Sequence, residues 1–343
     1  MKRAFLILLA VLLLGCTAKT AVVEPAAESS PAASTEQPRR ELPATEQPTA
    51  VPTLTAVPTA EPTPVPQPFT LAWSGDTQTM IVLQRMTPGF DAMCDWLTAN
   101  AQDRHIAAFL HTGDMVDGAE SEEQWARFSA GARRVAAVMP LAFAAGNHDY
   151  PYPNAPTLWK EQFFVAELPE AARFRDGEAF YQTLDVEGVK LLLVGVCYAT
   201  ADDPEVVAWA KAACDAFPDR KVILITHSYL SAEGKRTRHA RLLEEGVAAA
   251  CPNVRLVLSG HARGVSRRAF SYDDDGDGVP DRTVHALMND TQLDRERYGY
   301  LNLLTFDPVA NTLSVDSYSP LFDDFICDDA NPDAERFIIE SIF

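Results

Sequence analysis

The sequence predicts an α/β fold, arranged as a four-layer α/β/β/α sandwich in which two β-sheets pack face to face and helices cover their outer surfaces. Apolar β-type runs alternate with helical spacing up to His261, and short alternating runs follow it. Five of the early runs end at polar residues. Because the carboxyl ends of strands in α/β sheets meet at one crevice, these polar residues are expected to form a single site.

The early strands are predicted where apolar runs stop at polar residues. They are Phe69–Ser74, Ile106–His111, Leu141–Ala145, Lys221–Thr226 and Val254–Ser259. The spacing of Phe90, Met93 and Leu97 predicts a helix over Pro88–Ala101, and Ser121-Glu122-Glu123-Gln124 indicates the start of the next helix. Two later helices are predicted by the same periodicity: Asp203–Phe217 and Thr237–Ala250.

The remaining predicted strands belong to hairpins. Phe180–Val186 and Lys190–Val196, joined by the turn Glu187-Gly188, predict a hairpin inserted in the first sheet. Beyond His261, four alternating runs are expected to form a second, mainly antiparallel sheet: Val265–Tyr272, Thr283–Asn289, Tyr300–Phe306 and Thr312–Tyr318.

The amino terminus has the features of a secretory signal. Basic residues at Met1–Arg3 precede an apolar stretch, Ala4–Leu14, that is too short to span a bilayer. The end of that stretch, Leu13-Leu14-Gly15-Cys16, resembles the lipobox of bacterial lipoproteins, in which the cysteine is diacylated. We therefore expect residues 1–16 to be a lipoprotein signal peptide and Cys16 to anchor an exported protein to the bacterial cell membrane. A signal peptide cleaved elsewhere is the alternative.

The following segment, residues 17–68, is built almost wholly of Pro, Thr, Ala, Glu and Val and contains no aromatic residue or glycine. Such a composition buries too little apolar surface to offset chain entropy, so it predicts a disordered, extended stalk. The rest of the chain, residues 69–343, is expected to be one large domain on the outer side of the membrane.

Charge and cysteine content limit the partners. The formal net charge is -19, which argues against a nucleic-acid polymer, because such partners select basic surfaces. A small substrate suits an acidic chain better. The five cysteines other than Cys16 lack paired spacings and imply no disulfide framework. The oligomeric state does not follow from the sequence.

The polar residues at the strand ends carry groups that hold metals. They are Asp76-x-Gln78, Gly113-Asp114-x-x-Asp117, Gly146-Asn147-His148-Asp149, His227 and Gly260-His261. In order and spacing these blocks resemble the signature of the calcineurin-like metallophosphoesterase superfamily, in particular a bacterial branch with Asp-x-Gln. The resemblance implies a metallophosphoesterase-type sandwich holding one or two divalent cations.

Carried over residue by residue, the resemblance implies two metal positions. Asp114 would bridge them, with Asp76 and Gln78 completing the first. The second would be completed by three residues: Asn147, His227 and His261. Taken singly, each of these residues also suits a structural role, such as a helix cap, a turn former or a core histidine.

The resemblance also assigns the proton transfer. His148 would be the general acid or a phosphate-contacting residue, oriented by Asp149, and Asp117 would lie in the shell around the ligands.

Two departures from the family pattern concern the first metal position. The family commonly has histidine at Gln78, and again two residues after His261, where this chain has Arg263. Arginine does not ligate a cation because it does not give up its proton. We hypothesise that the guanidinium of Arg263 replaces part of the missing charge by gripping two phosphate oxygens. The alternative is that Arg263 turns outward and has no function.

A separate acidic block resembles the start of a calcium loop. Asp273, Asp275 and Asp277 alternate before a glycine, and Asp281 follows. The final glutamate of an EF-hand is missing, since Val284 stands there. Calcium bound in the 273–281 loop and a solvated hairpin turn are both consistent with this sequence.

The function that these observations favour is an exported, membrane-anchored, metal-dependent phosphohydrolase of a small phosphomonoester or phosphodiester. Mn, Fe and Zn all suit the predicted ligands. The alternative is a weakly catalytic or non-catalytic protein that binds a phosphorylated ligand on the same fold, which the departure at Arg263 favours. A protein of surface adhesion would need a repeated recognition surface, and the sequence contains no internal repeat.

Overall fold

Two seven-stranded sheets form the centre of the part of the chain that the computed structural model describes, which is residues 65–150, 172–175, 177–292, 297–325 and 332–343. Sheet A contains β1 (Phe69–Ser74), β2 (Ile106–His111), β3 (Leu141–Phe143), β11 (Leu301–Asp307), β12 (Thr312–Ser319), β13 (Asp324–Phe325) and β14 (Arg336–Glu340). Sheet B contains β4 (Arg173–Phe174), β5 (Ala179–Val186), β6 (Val189–Val196), β7 (Lys221–Thr226), β8 (Val254–Ser259), β9 (Gly264–Tyr272) and β10 (Arg282–Asp290).

Helices follow the strands of both sheets. They are α1 (Gln78–Val82), α2 (Thr87–Asn100), α3 (Glu122–Ala136), α4 (Pro204–Ala216), α5 (Ala240–Leu243) and α6 (Pro332–Glu335), with a 3-10 turn at Tyr198–Thr200 and a π-helical turn at Glu244–Ala248. None of the described helices is long and apolar enough to cross a membrane.

Alternation along the central strands of sheet B explains the layers. In β6, Leu191 and Leu193 belong to the core shared with sheet A, whereas Leu192 and Val194 pack in a second core with α4. Side chains of a strand point alternately to opposite faces, so a strand that is apolar at every position is covered on both faces. This burial confirms the predicted sandwich of two sheets between helices.

The predicted elements are present with small shifts at their ends. The helix start at Ser121 is confirmed, since its side chain accepts a hydrogen bond from the Gln124 N–H at 3.3 Å and caps α3. The predicted hairpin is confirmed as β5 and β6. The helix predicted over Thr237–Ala250 is shorter, because a π-helical turn replaces its second half.

The predicted division of strands between the sheets is wrong. The four strands after His261 do not form a sheet of their own: β9 and β10 extend sheet B beside β8, whereas β11 and β12 extend sheet A beside β1. The five early strands are likewise shared, with β1 to β3 in sheet A and β7 and β8 in sheet B. Alternation identifies a strand and its buried face but does not identify its neighbour.

The predicted signal peptide and nearly all of the predicted stalk lie outside the described residues. Residues Pro62–Phe343 form one compact unit. Four cysteines are buried and free, as their lack of paired spacing predicted: Cys94, Cys197, Cys214 and Cys251.

Candidate metal centre

The sandwich brings the carboxyl ends of strands from both sheets together. Backbone hydrogen bonds join the loops that carry the candidate ligands: the Asp76 N–H donates to the Gly113 carbonyl at 2.8 Å, and the Gly260 N–H donates to the His227 carbonyl at 2.9 Å. Polar blocks that are distant in sequence therefore meet in one crevice, as predicted.

Four side chains converge on the second metal position. The Nε2 atom of His227 lies 3.3 Å from Asp114 Oδ2, 3.0 Å from Asn147 Oδ1 and 3.1 Å from His261 Nδ1. His227 Nδ1 lies 2.8 Å from the Thr112 carbonyl oxygen, to which it donates its proton. In the neutral ring, Nε2 therefore presents a lone pair to an amide oxygen that also has only lone pairs, an arrangement that a cation satisfies.

Electrostatics at His227 and His261 follow from burial and the Asp114 charge. Burial lowers the pKa of His227, but Asp114 raises it above its ordinary value. Burial and, to a smaller extent, the neighbouring His227 together lower the pKa of His261 to about 4. A proton and a divalent cation compete for these ring nitrogens, so metal binding releases protons.

Asp114 is held in a left-handed backbone conformation, with φ of +55°. A Cβ atom at Gly146 would lie 2.2 Å from Asp114 Oδ1, so only glycine allows this approach. A strained backbone at a ligand position is characteristic of functional sites. Asp76 and His261 also have positive φ, +55° and +72°.

Asp149 supports the Asp114 loop and does not orient His148, which corrects the predicted role. Its buried carboxylate accepts backbone N–H bonds from Asp114 at 2.8 Å, Met115 at 2.8 Å and Gly146 at 2.7 Å. Burial raises the pKa of Asp149 to about 7, and the nearby Asp114 charge raises it as well.

His148 is positioned by Asp117 instead. Its Nδ1 lies 3.3 Å from Asp117 Oδ1 and 3.1 Å from the Asp117 carbonyl oxygen, and its Nε2 lies 4.0 Å from Asp114 Oδ2. The side chain is 41% exposed. One nitrogen is thus fixed by the loop, and the other faces the metal centre from the solvent side.

The predicted first metal position would be built from Asp76, Gln78 and Asp114. Both oxygens of the buried Asp76 accept a bond from the His261 N–H, at 3.1 and 3.0 Å. Burial raises the pKa of Asp76 well above its ordinary value, and the charges of Asp290 and Asp114 add to the effect. The Gln78 amide nitrogen donates to Asp114 Oδ2 at 3.1 Å, which leaves its oxygen buried without a partner.

Comparison with known proteins identifies the family of this arrangement. The family model described as "Calcineurin-like phosphoesterase" matches residues 69–262. The chain belongs to the calcineurin-like phosphoesterase family. That match covers the strands and loops that carry every candidate ligand described above.

A curated relative and two solved structures are similar to this chain. The uncharacterized protein YvnB of Bacillus subtilis (strain 168) is 30% identical over 272 residues, which cover 76% of this chain and 20% of YvnB. Purple acid phosphatase PPD1 from yellow lupin (Lupinus luteus) seeds is 15% identical, with a TM-score of 0.53 over 82% of this chain and 55% of that chain. GAP50 of Plasmodium is 13% identical, with a TM-score of 0.46 over 76% of this chain and 87% of that chain.

These likenesses have limits of length and identity. The match to this chain covers 20% of the length of YvnB. The likeness to the lupin enzyme, at 15% identity, shows the fold alone.

The donor set of this centre fits divalent cations. Four buried carboxylates surround the two positions: Asp76, Asp114, Asp149 and Asp290. Within the described residues, no lysine or arginine forms an ion pair with them. Buried charge is costly unless it is paired or coordinated, so cations at this site would relieve a repulsion that the fold itself creates.

Sequence reasoning missed two groups of the candidate metal centre. His111 is buried between the metal loops: its Nδ1 accepts a bond from the Gly113 N–H at 3.1 Å, and its Nε2 lies 3.2 Å from Thr77 Oγ1. Burial lowers the pKa of His111 to about 3, with a further contribution from His227, so it stays neutral. The second missed group is Asp290, at the end of β10.

An aromatic wall borders the centre on the side of the imidazole ligands. The Tyr198 ring lies 5.6 Å from the His227 ring, 5.3 Å from the His261 ring and 4.4 Å from the His239 ring, between centroids. Tyr198 lies two residues after the end of β6. The position after a strand end was therefore the signal that would have indicated it.

The remaining predicted site residues are exposed. Arg263 lies in the loop after His261 with its side chain in solvent. In the acidic loop, ligand oxygens of Asp273, Asp275 and Asp281 lie within 4.8 Å of one another, whereas Asp277 is outside that group. The Asp277 carboxylate instead accepts a bond from the Val279 N–H at 2.7 Å.

Proposed function

We propose that the protein is an exported, membrane-anchored, metal-dependent phosphohydrolase that cleaves a small phosphomonoester or phosphodiester. The activity rests on one observation, the convergence of four ligand side chains beside His148: Asp114, Asn147, His227 and His261. Divalent cations of the Mn, Fe or Zn type would supply Lewis-acid polarisation of the phosphoryl group and a water of lowered pKa.

The protein's own residues divide the remaining tasks. Asp149 fixes the loop that carries Asp114. Asp117 holds the His148 ring through Nδ1, which leaves Nε2 to exchange a proton with the leaving oxygen. The Tyr198 ring packs against the rings of His239 and His261 at the edge of the centre. A small ester suits this arrangement better than a polyanionic polymer, since the chain carries a net charge of -19.

The proposal is tested by hydrolysis of a chromogenic phosphomonoester and a chromogenic phosphodiester by the purified full chain. Turnover is expected with added Mn and is expected to stop with chelator. The preferred ester then narrows the substrate class. Absence of turnover with both esters across Mn, Fe and Zn would contradict the proposal for this substrate class.

A phospho-ligand-binding protein is the second candidate function. Arg263 favours it, because the position carries a cation that cannot ligate metal and lies in solvent. A binder is distinguished by retaining a phosphoester analogue at the metal centre without turning over the corresponding ester. Metal content alone does not separate the two candidates.

Replacing Arg263 with alanine is expected to raise KM about tenfold or more, because a hydrogen bond between charged groups contributes roughly 1.5–3 kcal/mol. Steady-state kinetics with the preferred ester measures the change. Arg268→Ala, which removes an exposed arginine from β9, is the matched control. An Arg263→Ala variant with unchanged kinetics would show that the guanidinium does not grip the phosphate.

Attachment to the membrane is expected to require Cys16. Cells grown with a fatty-acid analogue should label the wild-type chain and fractionate it with membranes, because diacylation of this cysteine is the anchor. Cys16→Ser is expected to abolish both. Labelling that persists in the variant would place the lipid elsewhere or refute the lipoprotein interpretation.

The acidic loop is proposed to bind one calcium ion. Calorimetry is expected to give a Kd on the order of 10⁻⁴–10⁻³ M, the range of extracellular calcium modules. Asp281→Asn is expected to abolish the signal, since its carboxylate also holds the Asp274 N–H at 2.6 Å. No heat of binding in the wild-type protein would identify the loop as a solvated turn.

A further inference from the structure

The first metal position has one candidate ligand fewer than the second. The second position gathers one carboxylate, one amide and two imidazoles, whereas the first has Asp76, Gln78 and the shared Asp114. Arg263 stands where the family pattern commonly has another imidazole. With Asp76, Gln78 and Asp114 as its protein ligands, the first position would hold its cation much more weakly than the second.

Asp290 lies between the two segments that form the first position. At the end of β10, Met288 pairs with Ser259, directly before Gly260, and Asp290 pairs with Gly264. Two residues later, the Gln292 side-chain oxygen accepts bonds from the Thr79 N–H at 3.2 Å and the Thr79 hydroxyl at 2.6 Å. The chain at Asp290 therefore runs from the His261 loop to the start of α1, which carries Gln78.

The Asp290 carboxylate is buried with little compensation. It is 3% exposed, and its hydrogen bonds in the described structure come from one residue, Gln292, whose backbone N–H donates at a long 3.4 Å and whose side chain also donates. Burial raises the pKa of Asp290 to about 6. The charge of Asp290 also raises the pKa of Asp76, second only to burial. The buried carboxylates of Asp76 and Asp290 therefore repel each other.

A second, independent group at this position is also without a partner. Gln78 is 7% exposed, and its amide oxygen has no hydrogen bond, although its nitrogen contacts Asp114 Oδ2 at 3.1 Å. A buried amide oxygen without a donor is costly. A cation between Gln78 and the carboxylates would satisfy the amide oxygen after rotation of the amide and would screen the repulsion between Asp76 and Asp290.

We propose that Asp290 is a further acidic residue of the first metal position, where its charge replaces the contribution lost at Arg263. Among the described residues, Asp76, Asp114 and Asp290 do not place their oxygens within 4.8 Å of one another, so Asp290 acts around the ion rather than on it. With a cation bound, its carboxylate would add negative charge beside the ion and could accept a hydrogen bond from water in the ion's hydration shell. This inference rests on the proposed function, since it assigns a role in the same centre.

The test is calorimetric titration of the metal-free full chain with Mn, with elemental analysis of the metal retained. The wild-type protein is expected to bind two ions of unequal affinity. Asp290→Asn keeps the shape of the side chain and its acceptor oxygen but removes its charge. It is expected to weaken the weaker site by about 10- to 100-fold, as for other groups that surround metal ligands, and to leave the tighter site unchanged.

Asp307→Asn is the matched control. The Asp307 carboxylate also accepts local backbone bonds, from the Val309 and Ala310 N–H groups at 2.9 and 2.8 Å. It follows Phe306, which pairs with the first residue of β1, so it lies at the end of sheet A away from Asp76. This control is expected to change neither affinity.

The inference also predicts the thermal stability without metal. In chelator, Asp290→Asn is expected to unfold at the same temperature as the wild-type protein or higher, because it removes a buried repulsion. Unchanged Mn affinity at both sites would overturn the inference, as would a wild-type protein with only one site. Equal weakening of both sites with a lower unfolding temperature in chelator would assign Asp290 a structural role instead.

The failure of this inference is distinguishable from that of the proposed function. A wild-type protein that binds two ions, loses the weaker one in Asp290→Asn and hydrolyses no ester would contradict the phosphohydrolase and support the inference. An active enzyme whose two metal affinities are unchanged in Asp290→Asn would contradict the inference alone.

Discussion

Replacement of Asp114 with asparagine is expected to lower phosphoester hydrolysis on the order of 10³-fold or more. Asp114 contacts His227, Gln78 and the His148 N–H, and it is the residue predicted to bridge both metal positions. Lewis-acid stabilisation by the cations contributes several kcal/mol to the transition state, and each 1.4 kcal/mol is a factor of ten in rate. Initial rates with saturating Mn measure the effect.

Thermal unfolding in chelator tests whether the loss reflects misfolding. Asp114 raises the pKa of the buried Asp149 and Asp76. Burial raises the pKa of Asp114 itself, but His227 and the His148 N–H lower it below its ordinary value. Because the variant loses both a repulsion and an attraction, it is expected to unfold at a temperature similar to that of the wild-type protein without metal. Added Mn is expected to stabilise the wild-type protein more than the variant, because binding to the folded state alone shifts the equilibrium. Near-wild-type hydrolysis by the variant would refute the bridging role.

Replacement of His148 with glutamine is expected to lower kcat by about 10²–10⁴-fold, the usual contribution of general acid catalysis. The metal content should stay unchanged, because His148 Nε2 lies 4.0 Å from Asp114 Oδ2 and outside the group of converging ligand atoms. The loss should be smaller for esters whose leaving groups need no protonation. Kinetics with a nitrophenyl ester and an alkyl ester, beside elemental analysis, measures both.

His105→Gln is the control for this variant. Its side chain is 42% exposed, almost the same as His148, and its backbone precedes β2 at the end opposite the metal centre. The control should keep full activity. If His148→Gln instead loses metal in proportion to activity, His148 is a ligand and another residue must protonate the leaving group.

The sequence was informative wherever an apolar strand stopped at a polar residue. Asp76, Asp114 and His261 were each predicted by this signal, and the structure brings them to one crevice. Asp290 is also a polar residue directly after a predicted strand, Thr283–Asn289. The sequence pattern places that strand in a separate sheet away from the site. The missed residue and the wrong division of strands between the sheets therefore have one cause.

The exchange of roles between Asp117 and Asp149 has a different cause. The family resemblance implies that Asp149 orients the adjacent His148, but the Asp149 carboxylate turns into the protein and accepts hydrogen bonds from four backbone N–H groups. Asp117 is 31 residues away from His148 and contacts its ring. Spacing determines side-chain direction in a helix or a strand but not in a loop.

The strand-end residues are proposed to form a metal-dependent phosphoesterase centre. The most direct measurement is hydrolysis by chelator-stripped protein during stepwise addition of Mn, with bound metal counted at each step. Activity is expected to be absent without metal and to rise with bound metal up to two ions per chain, with no such rise in Asp114→Asn. Activity that persists in the stripped protein, or metal that binds at the centre without any turnover, would contradict the claim.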